Sequence, residues 1–221
     1  MSDSSAPAST SSEPGDPGAA IRKKWLIFLG IAVLSLLADQ ATKIWARDAL
    51  PAVRFHGGAA CIVPDDIVSR ACGGQAVPVI GGFWDWRLSM NPGSAFGLFS
   101  TVGSARIGLS IVGIIAVFGM LWMLRKSRTD QRILHWALAL VTGGAIGNLV
   151  DRIYFGVVTD FILWRYENHE WPVFNVADIV LVVGVGLMFI DIQKEGRREK
   201  ALKAGRQERA KAAGLVKTFG K

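Results

Sequence analysis

Four apolar stretches, each long enough to cross a bilayer, constrain this chain more than any other feature. They run from Trp25 to Ala46, Arg106 to Leu124, Ile133 to Asp151 and Asn175 to Ile192. A membrane-spanning helix needs about 20 predominantly apolar residues. Inside hydrocarbon the backbone must satisfy its own hydrogen bonds, so such stretches are helices rather than isolated strands. Buried core helices of a soluble protein are the competing reading. Four runs with polar flanks in only 221 residues, at a mean hydropathy of +0.33, argue against it. The first run is read as an uncleaved signal anchor. It exceeds the roughly 7–15 residues of a cleavable signal core, and Asp39 and Lys43 occupy the end where small residues would mark a cleavage site.

The cations set the expected orientation. Arg22, Lys23 and Lys24 precede the first run. Arg125, Lys126, Arg128 and Arg132 fill the loop between the second and third. Ten more lie between Lys194 and Lys221, making 17 of the 25 basic residues. By the positive-inside rule both termini and this loop are cytoplasmic, and residues 47–105 and 152–174 face outward. The net charge of +7 is thus a signature of topology, and no nucleic-acid partner is expected. The short loops fit a bacterial inner membrane. Residues 1–24 read as a disordered lead-in, its first 20 residues rich in Ser, Pro, Gly and Ala. Residues 25–193 read as one membrane domain. Residues 194–221 read as a basic cytoplasmic tail, either helical on anionic lipid or solvated.

The outer loop 47–105 carries strand-like runs at Val77–Ile80 and Phe83–Leu88, separated by Gly81-Gly82. The expected fold class is therefore an all-α membrane protein: four transmembrane helices with a small outward-facing β-sheet cradle. Trp84 and Trp86 suit the headgroup layer. Cys61 and Cys72 share the outer loop. They form a disulfide if that side is oxidising, and are otherwise inert thiols. With only His56 nearby they offer no metal site.

Polar residues at membrane depth are costly and mark function. Here they fall in five clusters: Asp39-Gln40-Ala41-Thr42-Lys43, Asn91-Pro92-Gly93-Ser94-Ala95-Phe96-Gly97, Gly143 to Arg152, Val157 to Phe161, and Phe174 to Asp178. All lie at the outward ends of the spans, while the inward ends are expected to carry only cations. The absence of H-E-x-x-H and G-x-S-x-G argues against a zinc peptidase and a serine hydrolase of the usual kinds. A serine-lysine pair (Ser94 or Ser35 with Lys43) is a weak option. Carboxylate chemistry remains. Two aspartates sharing a desolvated site hold one proton between them: the ionised acid activates water and the protonated acid polarises a carbonyl. Asp160 and Asp178 are the favoured pair. Asp151 is expected to form a structural ion pair with its neighbour Arg152.

The motifs D-Q-A-T-K, N-P-G-S-A-F-G, G-G-A-I-G-N-L-V-D-R, V-V-T-D-F and F-N-V-A-D, in this order from Lys24 to Gln193, resemble the signal peptidase II family. The resemblance implies an aspartic endopeptidase that removes signal peptides from diacylglyceryl-modified prolipoproteins, cutting before the lipidated cysteine and using no metal or organic cofactor. Its implied catalytic pair is Asp160 and Asp178. Asn148, Arg152 and Asn175 are implied to support the pair or touch substrate. Asp39 and Lys43 are implied to stabilise the fold beside the site, and Asn91 and Gly93 to line the cleft. It further implies prolipoproteins and membrane lipid as partners, a monomer, and a short surface helix within Leu163–Pro172 covering the cleft. Pro92 and Ser94 depart from the Thr and Ala common in the family, and residues 55–76 look like an insertion. These departures suit a specialised paralogue. Gly143 and Gly147 are read as helix-packing positions. The alternatives are an inactive homologue acting as a lipoprotein-binding factor, and a small transporter or proton channel. The latter needs a polar path through the inward halves of the spans.

Overall fold

Helices in lipid gain nothing hydrophobic by touching each other, so close contact between them depends on small residues. The computed structural model, which describes residues 16–57, 60–69, 71–93 and 102–213, places the span that carries Gly143, Gly144 and Gly147 at the centre. Its helices are α1 (Pro17–Ala49), α2 (Asp65–Val68), α3 (Val102–Lys126), α4 (Arg132–Tyr154) and α5 (Val176–Ala212). The four long ones are apolar enough to span a membrane. Helix α4 packs on α1, α3 and α5. A side chain at Gly143 would meet Ala32 and Ser35 of α1, and one at Gly144 would meet the Ala177 carbonyl of α5. The outer helices turn Leu34 and Leu37, Ile115 and Phe118, and Val182 and Val185 away from the bundle, where lipid would cover them.

One helix end differs from the sequence expectation, and at another the helical alternative for the basic tail is the one that forms. Helix α1 begins at Pro17, so residues 17–24 are its first turns rather than part of a disordered lead-in. Asp16 caps it by accepting from Gly18 N (2.8 Å) and Ala19 N (3.1 Å), and proline suits a first helical position. Helix α5 does not stop at Ile192 but continues through the basic stretch to Ala212. Its 37 residues make a rod about 55 Å long, well beyond a bilayer core of about 30 Å. Residues 1–15 and 214–221 lie outside the described residues.

At the other end stands a four-stranded antiparallel sheet in the order β3 (Val77–Ile80), β4 (Trp84–Asn91), β5 (Val158–Tyr166) and β6 (His169–Glu170). A two-stranded ribbon, β1 (Ala52–Arg54) with β2 (Cys72–Gly74), lies beside it. The expected strand at 77–80 forms, and that at 83–88 becomes 84–91. Gly74 lets β2 pass over the backbone of Leu88, where a Cβ would have no room. Cys61 and Cys72 are disulfide-bonded. Together with an Arg54–Asp66 ion pair (2.5 Å), the bond ties α2 to the ribbon. Ile67 of α2 is buried with Ala46, Leu88, Met90, Val157 and Phe161, so this loop packs into the joint between cradle and bundle.

The surface helix expected within Leu163–Pro172 is absent. That segment is the β5–β6 hairpin, turning at Glu167, whose φ is +52°. The run Phe161-Ile162-Leu163-Trp164-Arg165-Tyr166 is aromatic and branched and pairs with β4 through Trp84↔Trp164 and Asp85↔Leu163. Ion pairs of Arg165 with Asp85 and of Arg87 with Glu170 (2.8 Å) fasten the hairpin across strands. The short surface helix that does occur among the described residues is α2, in the earlier loop.

Candidate active site

The N-terminus of α5 leaves backbone N–H groups without helical partners. Three side chains meet there. Asn175 is the cap, its Oδ1 accepting from Asp178 N (3.1 Å), while the Asp178 carboxylate accepts in return from Asn175 N (3.2 Å). This reciprocal box fixes Asp178 at the helix mouth. Asp39 of α1 supplies the third group, its Oδ1 accepting from Ala177 N (2.9 Å).

The same Asn175 side chain reaches across to the sheet. Its Nδ2 donates to Asp160 Oδ1 (2.6 Å) and to Asn148 Oδ1 (3.2 Å). Asp160 Oδ2 accepts from Asn91 Nδ2 (3.0 Å), and Asp178 Oδ1 accepts from Asn148 Nδ2 (3.0 Å). Each aspartate is thus held by one side-chain amide of its own and by Asn175, through the Asn175 side chain for Asp160 and its backbone for Asp178. Asn91 is held in turn: its Oδ1 accepts from Gly93 N (2.8 Å), in a turn where Gly93 has φ +91°. That backbone conformation favours glycine. Residues 94–97 of the same motif, Ser94 included, lie outside the described residues.

Beneath this layer is a buried charge cluster. Lys43 Nζ contacts Asp39 (2.9 Å) and Asp151 (3.6 Å) and donates to Asn148 Oδ1 (2.8 Å). None of Lys43, Asp39 and Asp151 is exposed. The expected Asp151–Arg152 pair does not form. Successive residues on a helix point in different directions, and Asp151 instead faces Lys43, Arg47 (3.7 Å) and the Thr159 N–H (2.8 Å). Arg152 Nη1 donates to the Asn148 carbonyl (3.3 Å).

Sequence reasoning missed Arg47, and it placed Gln40 and Thr159 in polar clusters without giving either a role. Arg47 donates to Thr159 Oγ1 (2.7 Å), and Gln40 bridges Asp39 (3.0 Å) and the Gly147 carbonyl (3.1 Å). A signal for Arg47 was present: Asp39, Lys43 and Arg47 are spaced by four and so share one helix face. Gly147 belongs to this cluster as well as to packing, since a Cβ there would strike the Asp39 carboxylate.

The two aspartates differ in surroundings. Asp160 is buried and Asp178 is half-exposed. Burial, reinforced by the Asp178 charge, pushes the Asp160 carboxyl up to about 7, against the opposing pull of Asn91, Asn175 and Lys43. Near neutral pH such a pair can hold one proton. Asp178 borders a cavity of about 330 Å³ walled by Trp164, Trp171, Phe174, Ile179 and Val182. An apolar chain would find there a greasy wall ending at a carboxylate.

A bundle of four membrane-crossing helices with amide-held acids at one mouth defines a membrane-embedded site, and a family model and curated relatives name its family. The model of the family described as Signal peptidase (SPase) II matches residues 31–194. The chain belongs to the signal peptidase II family, and is a multi-pass membrane peptidase. It is 39% identical over 182 residues to a lipoprotein signal peptidase of Xylella fastidiosa (strain 9a5c), covering 79% of this chain and 91% of the relative. It is 32% identical over 179 residues to a lipoprotein signal peptidase of Geobacter metallireducens, covering 81% and 98%. A solved structure described as a bacterial membrane enzyme, at 2.3 Å, aligns with a TM-score of 0.56 and 26% identity, covering 82% of this chain and 91% of that one.

Proposed function

We propose that this protein removes signal peptides from lipid-modified prolipoproteins, cutting before the lipidated cysteine, with Asp160 and Asp178 as its catalytic acids. The observation that carries this reading is the bridge through Asn175, which puts one carboxylate from the cradle and one from a span mouth into a single hydrogen-bonded unit. Asp160, the acid favoured to hold the proton, donates to the scissile carbonyl oxygen. Asp178, ionised, takes a proton from a water that attacks the carbonyl carbon. The resulting tetrahedral carbon collapses with a proton passing to the leaving amine, the C–N bond breaks, and the acids return to their one-proton state. The bridging Asn175 and the amides of Asn91 and Asn148 keep the acids in place through these exchanges.

The apolar cavity beside Asp178 supports a substrate that arrives from lipid with its greasy part attached. The concentration of cations at the opposite end supports an orientation with both termini in the cytoplasm of a bacterium and the acids at the outer leaflet of the inner membrane. In this reading Asn91, Gly93, Asn148, Arg152 and Asn175 support the pair or meet substrate, and Asp39 and Lys43 fix the start of α5.

The test uses the full chain in vesicles with a synthetic precursor peptide, presented with and without the diacylglyceryl group on cysteine. Mass spectrometry should find the lipidated peptide cut once, on the amino side of the modified cysteine, and the unlipidated peptide cut at least about tenfold more slowly. Equal cleavage of both, or a cut elsewhere, contradicts the assignment.

A further inference from the structure

The end of the bundle opposite the cradle holds a second cavity that the peptidase reading does not use. It has a volume of about 410 Å³ and lies between the start of α1 and the loop entering α4, lined by Lys23, Lys24, Thr129, Asp130, Arg132 and His135 among others. Lys24 is 6% exposed. Its Nζ donates to the Leu124 carbonyl (2.8 Å) and the Ser127 carbonyl (3.1 Å), at the end of α3. Those partners carry no formal charge. Among the described residues, none of Lys23, Lys24 and Arg132 forms an ion pair. The cavity's one acid, Asp130, is already engaged by Arg128 (3.0 Å) and Arg198 (2.8 Å). Three cations therefore face one cavity with no counter-charge of their own.

Arg132 also lines a neighbouring apolar groove of about 300 Å³ with Ile133, Trp136 and Leu187. Trp136 is exposed on the lipid-facing side of α4. One arginine thus joins a cationic chamber to a greasy channel along the bundle wall. A free phosphate would satisfy only the chamber, whereas a phospholipid satisfies both.

We propose that this is a binding site for an anionic phospholipid of the leaflet at the basic end of the bundle. Its phosphate would sit among Lys23, Lys24 and Arg132, and an acyl chain would lie along Ile133, Trp136 and Leu187. Basic pockets between membrane helices suit such headgroups, and each lysine or arginine near the surface adds to the attraction. The bound lipid would supply the missing negative charge beside buried Lys24 and hold α1 to the loop between α3 and α4.

Native mass spectrometry of the purified full chain tests this with three probes: dioleoyl phosphatidylglycerol, dioleoyl phosphatidylcholine and water-soluble glycerol phosphate. The intact protein should retain one phosphatidylglycerol about tenfold more strongly than phosphatidylcholine. The double variant Lys23→Gln/Arg132→Gln should lose that preference while still cleaving substrate, which shows that it is folded. Arg125→Gln/Lys126→Gln, which removes two cations at the same end but outside the cavity, should keep it. Equal retention of the two lipids overturns the proposal. So does an unchanged preference in the first double variant, or an equal loss in the second, which would mean diffuse surface charge. Displacement of the lipid by millimolar glycerol phosphate would reduce the site to one for phosphate alone and likewise overturns it.

Discussion

Asn175 does two jobs with one amide: it caps α5 and it holds Asp160. Replacing it with alanine removes a helix cap, costing about 1 kcal/mol, and leaves Asp160 and Asn148 each short of a donor. The expected result for Asn175→Ala is a protein that still inserts and folds but loses at least about 100-fold in kcat, measured with lipidated peptide. Asp160 yields a second prediction. Its carboxyl lies at about 7 in the fold against an ordinary 3.8. A raised acid stabilises the fold fully below the lower value, and that contribution fades as pH rises through the higher one. Stability should therefore fall between about pH 4 and pH 7 by an amount on the order of 4 kcal/mol, and this slope should shrink in Asp160→Asn. Denaturation of the reconstituted protein across that range checks it. At this scale the sequence already singled out Asp160 and Asp178, because acids flanked by apolar residues are costly unless used. It did not reveal who holds them. Asn91, Asn148 and Asn175 lie far apart in the chain, and only the resemblance linked them to the acids; Arg47 was read as the start of a loop.

Between elements, a missing side chain can matter as much as a charged one. Gly147 leaves space for the Asp39 carboxylate that reaches the first turn of α5. Gly147→Ala should displace that carboxylate, destabilise the fold by about 1–3 kcal/mol and lower activity, whereas Gly186→Ala on the same bundle, where nothing crowds the new methyl, should do neither. Thermal unfolding with a parallel cleavage assay separates the two. The four spans were legible in the sequence because lipid demands long apolar runs. Strand β5 was not. Residues 158–163 are all buried, so the alternation that betrays a half-covered strand is missing. The surface helix expected within 163–172 came from the resemblance alone; in this chain pairing with β4 and β6 makes that segment a hairpin instead.

Across the whole molecule, charge is used in two ways. Near the cradle it is buried: Asp151 faces Lys43 and Arg47 with no exposure. At the basic end the ion pairs are exposed, with Arg128, Asp130, Glu195 and Arg198 pairing across the root of the α5 extension. Removing one member of a buried cluster leaves uncompensated charge in a dry site, so Asp151→Asn should destabilise the bundle by about 3–5 kcal/mol. Exposed pairs contribute little, so Asp130→Asn should leave the unfolding temperature unchanged, although its two arginines hold that carboxyl down at about 2. The basic end also departs from the expectation that it carries cations alone. Asp191 and His135 are buried there, with Gln131 donating to Asp191 (3.3 Å). A pattern of surface lysines and arginines gives sidedness but not the polar residues packed behind them.

The most direct measurement is the single-turnover cleavage rate of a diacylglyceryl precursor peptide by the wild-type protein, Asp160→Asn and Asp178→Asn, each reconstituted and each verified as folded. Two acids sharing the work of proton transfer predict that either substitution slows cleavage by about 10³-fold or more, with the cut site unchanged in any residual product. Cleavage near the wild-type rate by either variant would contradict the account.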